Sequence, residues 1–173
     1  MTDQSTEIRR LRERVDLLER MLAGTYSFIV AVVLMLGLTL PLFTAHADGE
    51  DQKYWSIITA SLAPFNSTDV PMEAADWMLT TLFVGLIIIT VLILATTLIP
   101  AALSSLSDGL RIFGTILTAL GTVGAVTVMI LIGTSLHTRS YDFGWGGPVL
   151  LLGMIAVLPL LSGALRPLVG PRR

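Results

Sequence analysis

Residues 77–100 read WMLTTLFVGLIIITVLILATTLIP, 24 positions without one ionisable side chain. An α-helix needs about 20 apolar residues to cross a hydrocarbon core about 30 Å thick, so this stretch reads as a membrane span. Three further uncharged apolar stretches of similar length follow the same logic: 24–45, 112–132 and 149–165. Inside lipid, backbone N–H and C=O groups must be paired within the segment, which makes each span a helix. The expected fold class is an all-α membrane protein. Its four-transmembrane-helix bundle occupies 24–165, an N-terminal amphipathic, coiled-coil-like helix precedes it over 1–23, and a basic tail follows over 166–173.

Composition agrees. Hydrophobic residues are 53% of the chain and charged residues 14%, against about 25% charged in soluble domains, and the mean hydropathy is +0.78. The short segments before the first and after the last span leave no room for a soluble enzyme domain. The absence of cysteine excludes disulfides, thiolate metal sites and thiol nucleophiles together.

The net charge of −2 matters less than the side on which each charge falls. Placing the N-terminus, the 101–111 loop and the C-terminus on one side collects Arg9, Arg10, Arg12, Arg14, Arg20, Arg111, Arg166, Arg172 and Arg173 there. The other side keeps Lys53 and Arg139 and carries the acidic Asp48, Glu50, Asp51, Asp69, Glu73, Asp76 and Asp142. Positively charged flanks resist translocation, so both termini are expected to be cytoplasmic, in a bacterial inner membrane. A competing reading makes the first span a signal peptide cleaved at Ala45-His46-Ala47. A retained anchor is preferred, because the apolar run exceeds the usual 7–15-residue signal core and a mixed-charge helix in front of it is a poor signal n-region.

The segment before the first span is the most patterned part outside lipid. Ile8, Leu11, Val15, Leu18 and Leu22 recur at spacings of 3, 4, 3 and 4, the a and d positions of a coiled coil, with charged residues between them. A short helix of this kind is marginal in water, so something is expected to cover the stripe. Three covers fit: the same segment of a second copy, a helix of a larger complex, or the membrane surface. The acids and bases of the segment balance, whereas surface-lying helices are enriched in Lys and Arg, so a protein contact is preferred.

In the outer loop, 47–76, Trp55, Ile58, Leu62 and Phe65 keep the spacing of a helix with one apolar face. Tryptophan and tyrosine favour the headgroup level, so a short interfacial helix is expected, ended by Pro64. Trp145, in the Gly144–Pro148 turn before the fourth span, is the second expected interfacial tryptophan. In the third span Gly114, Thr118, Gly121 and Ala125 supply small residues at helical spacing, which let helix backbones approach closely. The second span is bulky and β-branched with Gly85 as its one gap, and Pro100 is expected to stop it.

No chemistry stands out. Buried ionisable groups mark proton and ion paths, and the four uncharged stretches contain none. His46, His137 and the neighbouring carboxylates lack the fixed spacing of a metal site. There is no phosphate loop, no nucleophile elbow and no basic-aromatic surface for nucleic acid. No cofactor is expected and an enzyme is not.

Four spans with both ends inside and a longer first outer loop resemble the tetraspan superfamilies such as the claudins in topology. The claudin first-loop pattern of tryptophan, glycine-leucine and a cysteine pair is absent, so nothing beyond topology carries over. One Lys against ten Arg, with abundant Ala, Gly, Leu and Val, is typical of GC-rich bacterial genomes. The expected function is that of a non-enzymatic accessory subunit of a larger inner-membrane complex, its partners being membrane lipids and other integral subunits or further copies of itself. The alternative is a small homo-oligomeric transport or lipid-handling protein for a neutral or hydrophobic substrate.

Overall fold

The computed structural model describes residues 2–45, 53–66, 74–103, 106–136 and 141–162, and they are mostly helical. Helix α1 runs unbroken from Thr2 to Thr39. Strands β1 (Pro41–Ala45) and β2 (Lys53–Ser56) follow, then α2 (Ile57–Asn66) and α3 (Ala74–Ile93). A π-helical turn, Leu94–Leu98, joins α3 to the short α4 (Ile99–Ala102). Helix α5 covers Asp108–Leu136, β3 covers Tyr141–Phe143 and α6 covers Gly146–Leu161.

Among the described residues three stretches, Glu13–Thr39, Trp77–Ala102 and Asp108–Thr134, are long and apolar enough to cross a membrane. The chain is a membrane protein. The fourth apolar helix, α6, has 16 residues, about 24 Å at 1.5 Å per residue, which is short of a full span.

Close approaches fix how the helices run. Tyr26 Oη donates to the carbonyl of Ala156 at 2.8 Å, and Leu34 packs on Gly153, so α1 and α6 are antiparallel. Gly114 and Gly121 of α5 lie against Leu161 and Met154, which makes α5 and α6 antiparallel, while Thr97 and Leu86 set α3 antiparallel to α5. The seams are filled by Val30, Leu34, Leu86, Ile93, Val128, Leu150, Met154 and Val157, each 1% exposed or less. Hydroxyls inside these helices donate to the carbonyl one turn back, as Thr90 does to Leu86 and Thr118 to Gly114, both at 2.8 Å. That satisfies a polar group where lipid offers no partner. The Tyr26 bond crosses two helices instead. Tyr26→Phe is expected to cost about 1 kcal/mol, the net value of one hydrogen bond, read as a lower unfolding midpoint in detergent.

The structure corrects several sequence-based boundaries. The first apolar stretch is not helical to residue 45, because Pro41 has no N–H to continue α1 and disfavours helical backbone before it. Its last five residues form the centre of an antiparallel sheet in the order β2-β1-β3, with Phe43 opposite both Trp55 and Phe143. Pro100 does not stop the second apolar helix. The chain passes it into α4 after a wider turn in which the Ile99 N–H donates to the Leu94 carbonyl, five residues back. Pro64 lies inside α2, not at its end. The third helix starts four residues before 112 and so takes in Asp108 and Arg111.

Candidate contact surfaces

The two groups of residues singled out in the helices have opposite surroundings. Gly114, Thr118, Gly121 and Ala125 all face inward: Thr118 and Ala125 are 1% and 2% exposed. A Cβ on Gly114 would meet Thr97 Oγ1 at 2.5 Å, and one on Gly121 would meet the Met154 thioether at 2.9 Å. These small residues seat α5 against the end of α3 and against α6, within the chain.

The N-terminal stripe is bare. Leu11, Val15, Leu18 and Leu22 are each about half exposed or more (57%, 49%, 58% and 63%), and Leu17 and Met21 beside them are open too. The side chain of Ile8 lies outside what is described. A shallow trough lined by Arg10, Glu13, Arg14, Leu17 and Leu18 follows the same segment. Among the described side chains of α1 the first buried one is Ala23, so the helix enters the packed part of the protein there. At 38 residues α1 is about 57 Å long, roughly twice the thickness of a hydrocarbon core, and its first half projects beyond the bundle.

The interfacial set divides. Trp55 is in β2, where its ring stacks on Phe43 with centroids 6.3 Å apart and planes 16° from parallel. Ile58 and Leu62 are on α2, which turns Ile57, Ala60 and Ser61 inward and leaves Leu62 open. Phe65 is at the end of α2, its side chain outside the described set, and Trp145 begins α6 at 75% exposure. The start of α2 carried a signal that periodicity missed. Ser56 and Thr59 cap it reciprocally: the Ser56 N–H donates to Thr59 Oγ1 at 2.7 Å and the Thr59 N–H to Ser56 Oγ at 3.2 Å.

Sequence reading also missed Arg111. Counted as a loop residue, it lies in the first turn of α5 at 8% exposure, and its Nε and Nη2 have no hydrogen-bond partner among the described residues. Ser27 Oγ on α1 and Thr97 Oγ1 on the π-helical turn are buried without partners as well. All three belong to the end of the bundle away from the sheet.

His46 and His137, weighed above as metal ligands, lie outside the described residues, as do Asp48, Glu50, Asp51 and Asp69. Among the described residues no three His, Asp or Glu side chains gather where a metal ion would fit. Comparisons with protein families, with curated proteins and with solved structures find no match.

Proposed function

We propose that this protein is a non-enzymatic accessory subunit that stabilises or assembles a larger complex in a bacterial inner membrane. In this reading α6 makes the fourth of four membrane crossings. The arginine-rich ends lie in the cytoplasm, in keeping with the charge asymmetry of the loops. The observation that carries the proposal is the projecting half of α1, where Leu11, Val15, Leu18 and Leu22 stand at heptad spacing and are about half exposed or more. Exposed contiguous apolar surface beyond the lipid marks a site of protein contact. The open faces of the bundle supply the remaining contacts, and membrane lipids cover what subunits do not.

Gentle detergent extraction followed by mass spectrometry of co-purifying chains tests it. A stoichiometric foreign membrane subunit is the expected result. Self-association alone favours the homo-oligomeric transport or lipid-handling role. Replacing Leu11, Val15 and Leu18 by Ser removes three apolar contacts worth about 1.5–3 kcal/mol each when buried, so association is expected to weaken at least about tenfold. Unchanged assembly would remove the contact role of α1.

A further inference from the structure

The stripe on α1 does not end where the membrane begins. Counting Ile8 as position a, the register places Ile8, Val15 and Leu22 at a and Leu11 and Leu18 at d. At unbroken 3 and 4 spacing it then reaches Thr25, Ile29, Val32 and Leu36. These four side chains are exposed in the structure, although α1 is by now packed into the bundle. The bundle holds another face, that of Ala23, Ser27, Val30, Leu34 and Leu38. One continuous helix thus carries about four heptads of a and d positions, those from Leu11 to Leu36 exposed and about half of them in the apolar region, which is the length a coiled-coil assignment requires.

Three properties of this stripe select its partner. In the first two heptads β-branched residues stand at a (Ile8, Val15) and leucines at d (Leu11, Leu18), the combination that favours two parallel strands; further on Leu22, Ile29 and Leu36 stand at a and Thr25 and Val32 at d. In a parallel pair each g residue faces the e residue five positions on in the other helix. Here those pairs are Glu7 with Arg12 and Arg14 with Glu19, opposite in charge both times. In an antiparallel pair centred on the 8–22 part of the stripe, Arg14 would face its own counterpart. The stripe is also continuous with a membrane helix, so two copies inserted alike present it in parallel and in register.

We propose that α1 forms a parallel two-stranded coiled coil with α1 of a second copy, from Ile8 into the membrane as far as Leu36. The proposal rests on reading α1 as a contact surface and narrows the occupant of that surface to the chain itself. Foreign subunits are then met by the other faces of the bundle.

The absence of cysteine makes the test direct. Full-length Leu11→Cys and Leu18→Cys variants place a thiol at d, and Glu13→Cys and Arg20→Cys place one at the outward f position. Each is oxidised in native membranes with copper phenanthroline. Facing d positions fall within reach of a disulfide, so the first two are expected to give at least about fivefold more covalent dimer than the second two. In the Leu18→Cys background, Arg14→Glu sets like charges against each other and is expected to lower the yield. Adding Glu19→Arg is expected to restore it. Equal yields at all four positions, or no response to the charge reversal, would overturn the dimer. Capture of a foreign chain by Leu18→Cys in place of the dimer would overturn it while leaving the contact role of α1 intact. Dimer formation with no foreign subunit co-purifying would keep the coiled coil and remove the accessory role.

Discussion

Gly37→Ala is expected to separate the two most extensively packed helices of the protein. A Cβ on Gly37 would lie 2.5 Å from both the Cα and the N of Leu150 on α6. These are backbone atoms, so no rotamer change relieves the clash and the helices must move apart. Movement there is transmitted along the seam: Leu34, fully buried one turn away, sits against Gly153, and the Tyr26 bond to Ala156 closes the far end. Overpacking of a tight core costs about 1–3 kcal/mol, occasionally more, and backbone contact places this case at or above the top of that range. Gly37→Leu is expected to prevent α1 and α6 from pairing at all. Gly85→Ala on α3 is the matched control, because a Cβ there meets nothing within 4 Å. The control is expected to be neutral or about 1 kcal/mol stabilising through helix propensity. Unfolding midpoints of the purified protein in mild detergent, titrated with a denaturing one, measure all three. A neutral Gly37→Ala would show that α1 and α6 do not meet at this position.

Gly37 also shows where sequence reading reaches its limit. Uncharged length was enough to find the apolar helices, because lipid imposes one requirement on each of them independently: twenty or so residues with every backbone group paired internally. Which helices touch was less legible. The small residues of α5 stood out through their number, yet the backbone approach of α1 to Leu150 of α6 is made by a single glycine that no repeat distinguishes.

The sheet was not legible for a different reason. Its strands have three to five residues, too few for alternation to register, and β1 is as apolar as the helix it follows. Pro41 was the available signal, since a proline at the end of an apolar run can mark its helical limit. Pro100 gave the same signal and there the helix continued, because a π-helical turn takes up the missing N–H. One residue type thus gave opposite outcomes according to what packed around it. The stripe on α1 was readable only as far as the membrane. From Phe28 to Leu36 every residue is apolar, and heptad positions can be told from the rest only once the structure shows which face the bundle occupies.

Arg111→Met is expected to stabilise the detergent-solubilised protein, an unusual outcome for removing a buried side chain. Burying a charged group is costly unless hydrogen bonds and an opposite charge compensate it, and Nε and Nη2 of Arg111 have no hydrogen-bond partner among the described residues. Apart from Ser27 and Thr97, the side chains buried at this end of the bundle include the apolar Leu98, Ala101, Leu106 and Leu161. Methionine is unbranched, nearly as long and adaptable, so it fills the space without a polar group to satisfy. An unsatisfied buried group carries a penalty of about 1–3 kcal/mol, more when charged, and relief of that penalty sets the expected gain. Thr97→Val removes the orphan hydroxyl that faces Gly114 and is expected to give a smaller gain of about 1 kcal/mol, whereas Arg111→Lys keeps the charge and is expected to give none. Thermal unfolding of the three variants in one neutral detergent checks the order Met above Val above Lys. A loss of stability in Arg111→Met would mean that the guanidinium is held by an acceptor from lipid, from a partner subunit or from chain outside the described residues. Its burial within the first turn of α5 would then mark a contact point instead of a cost.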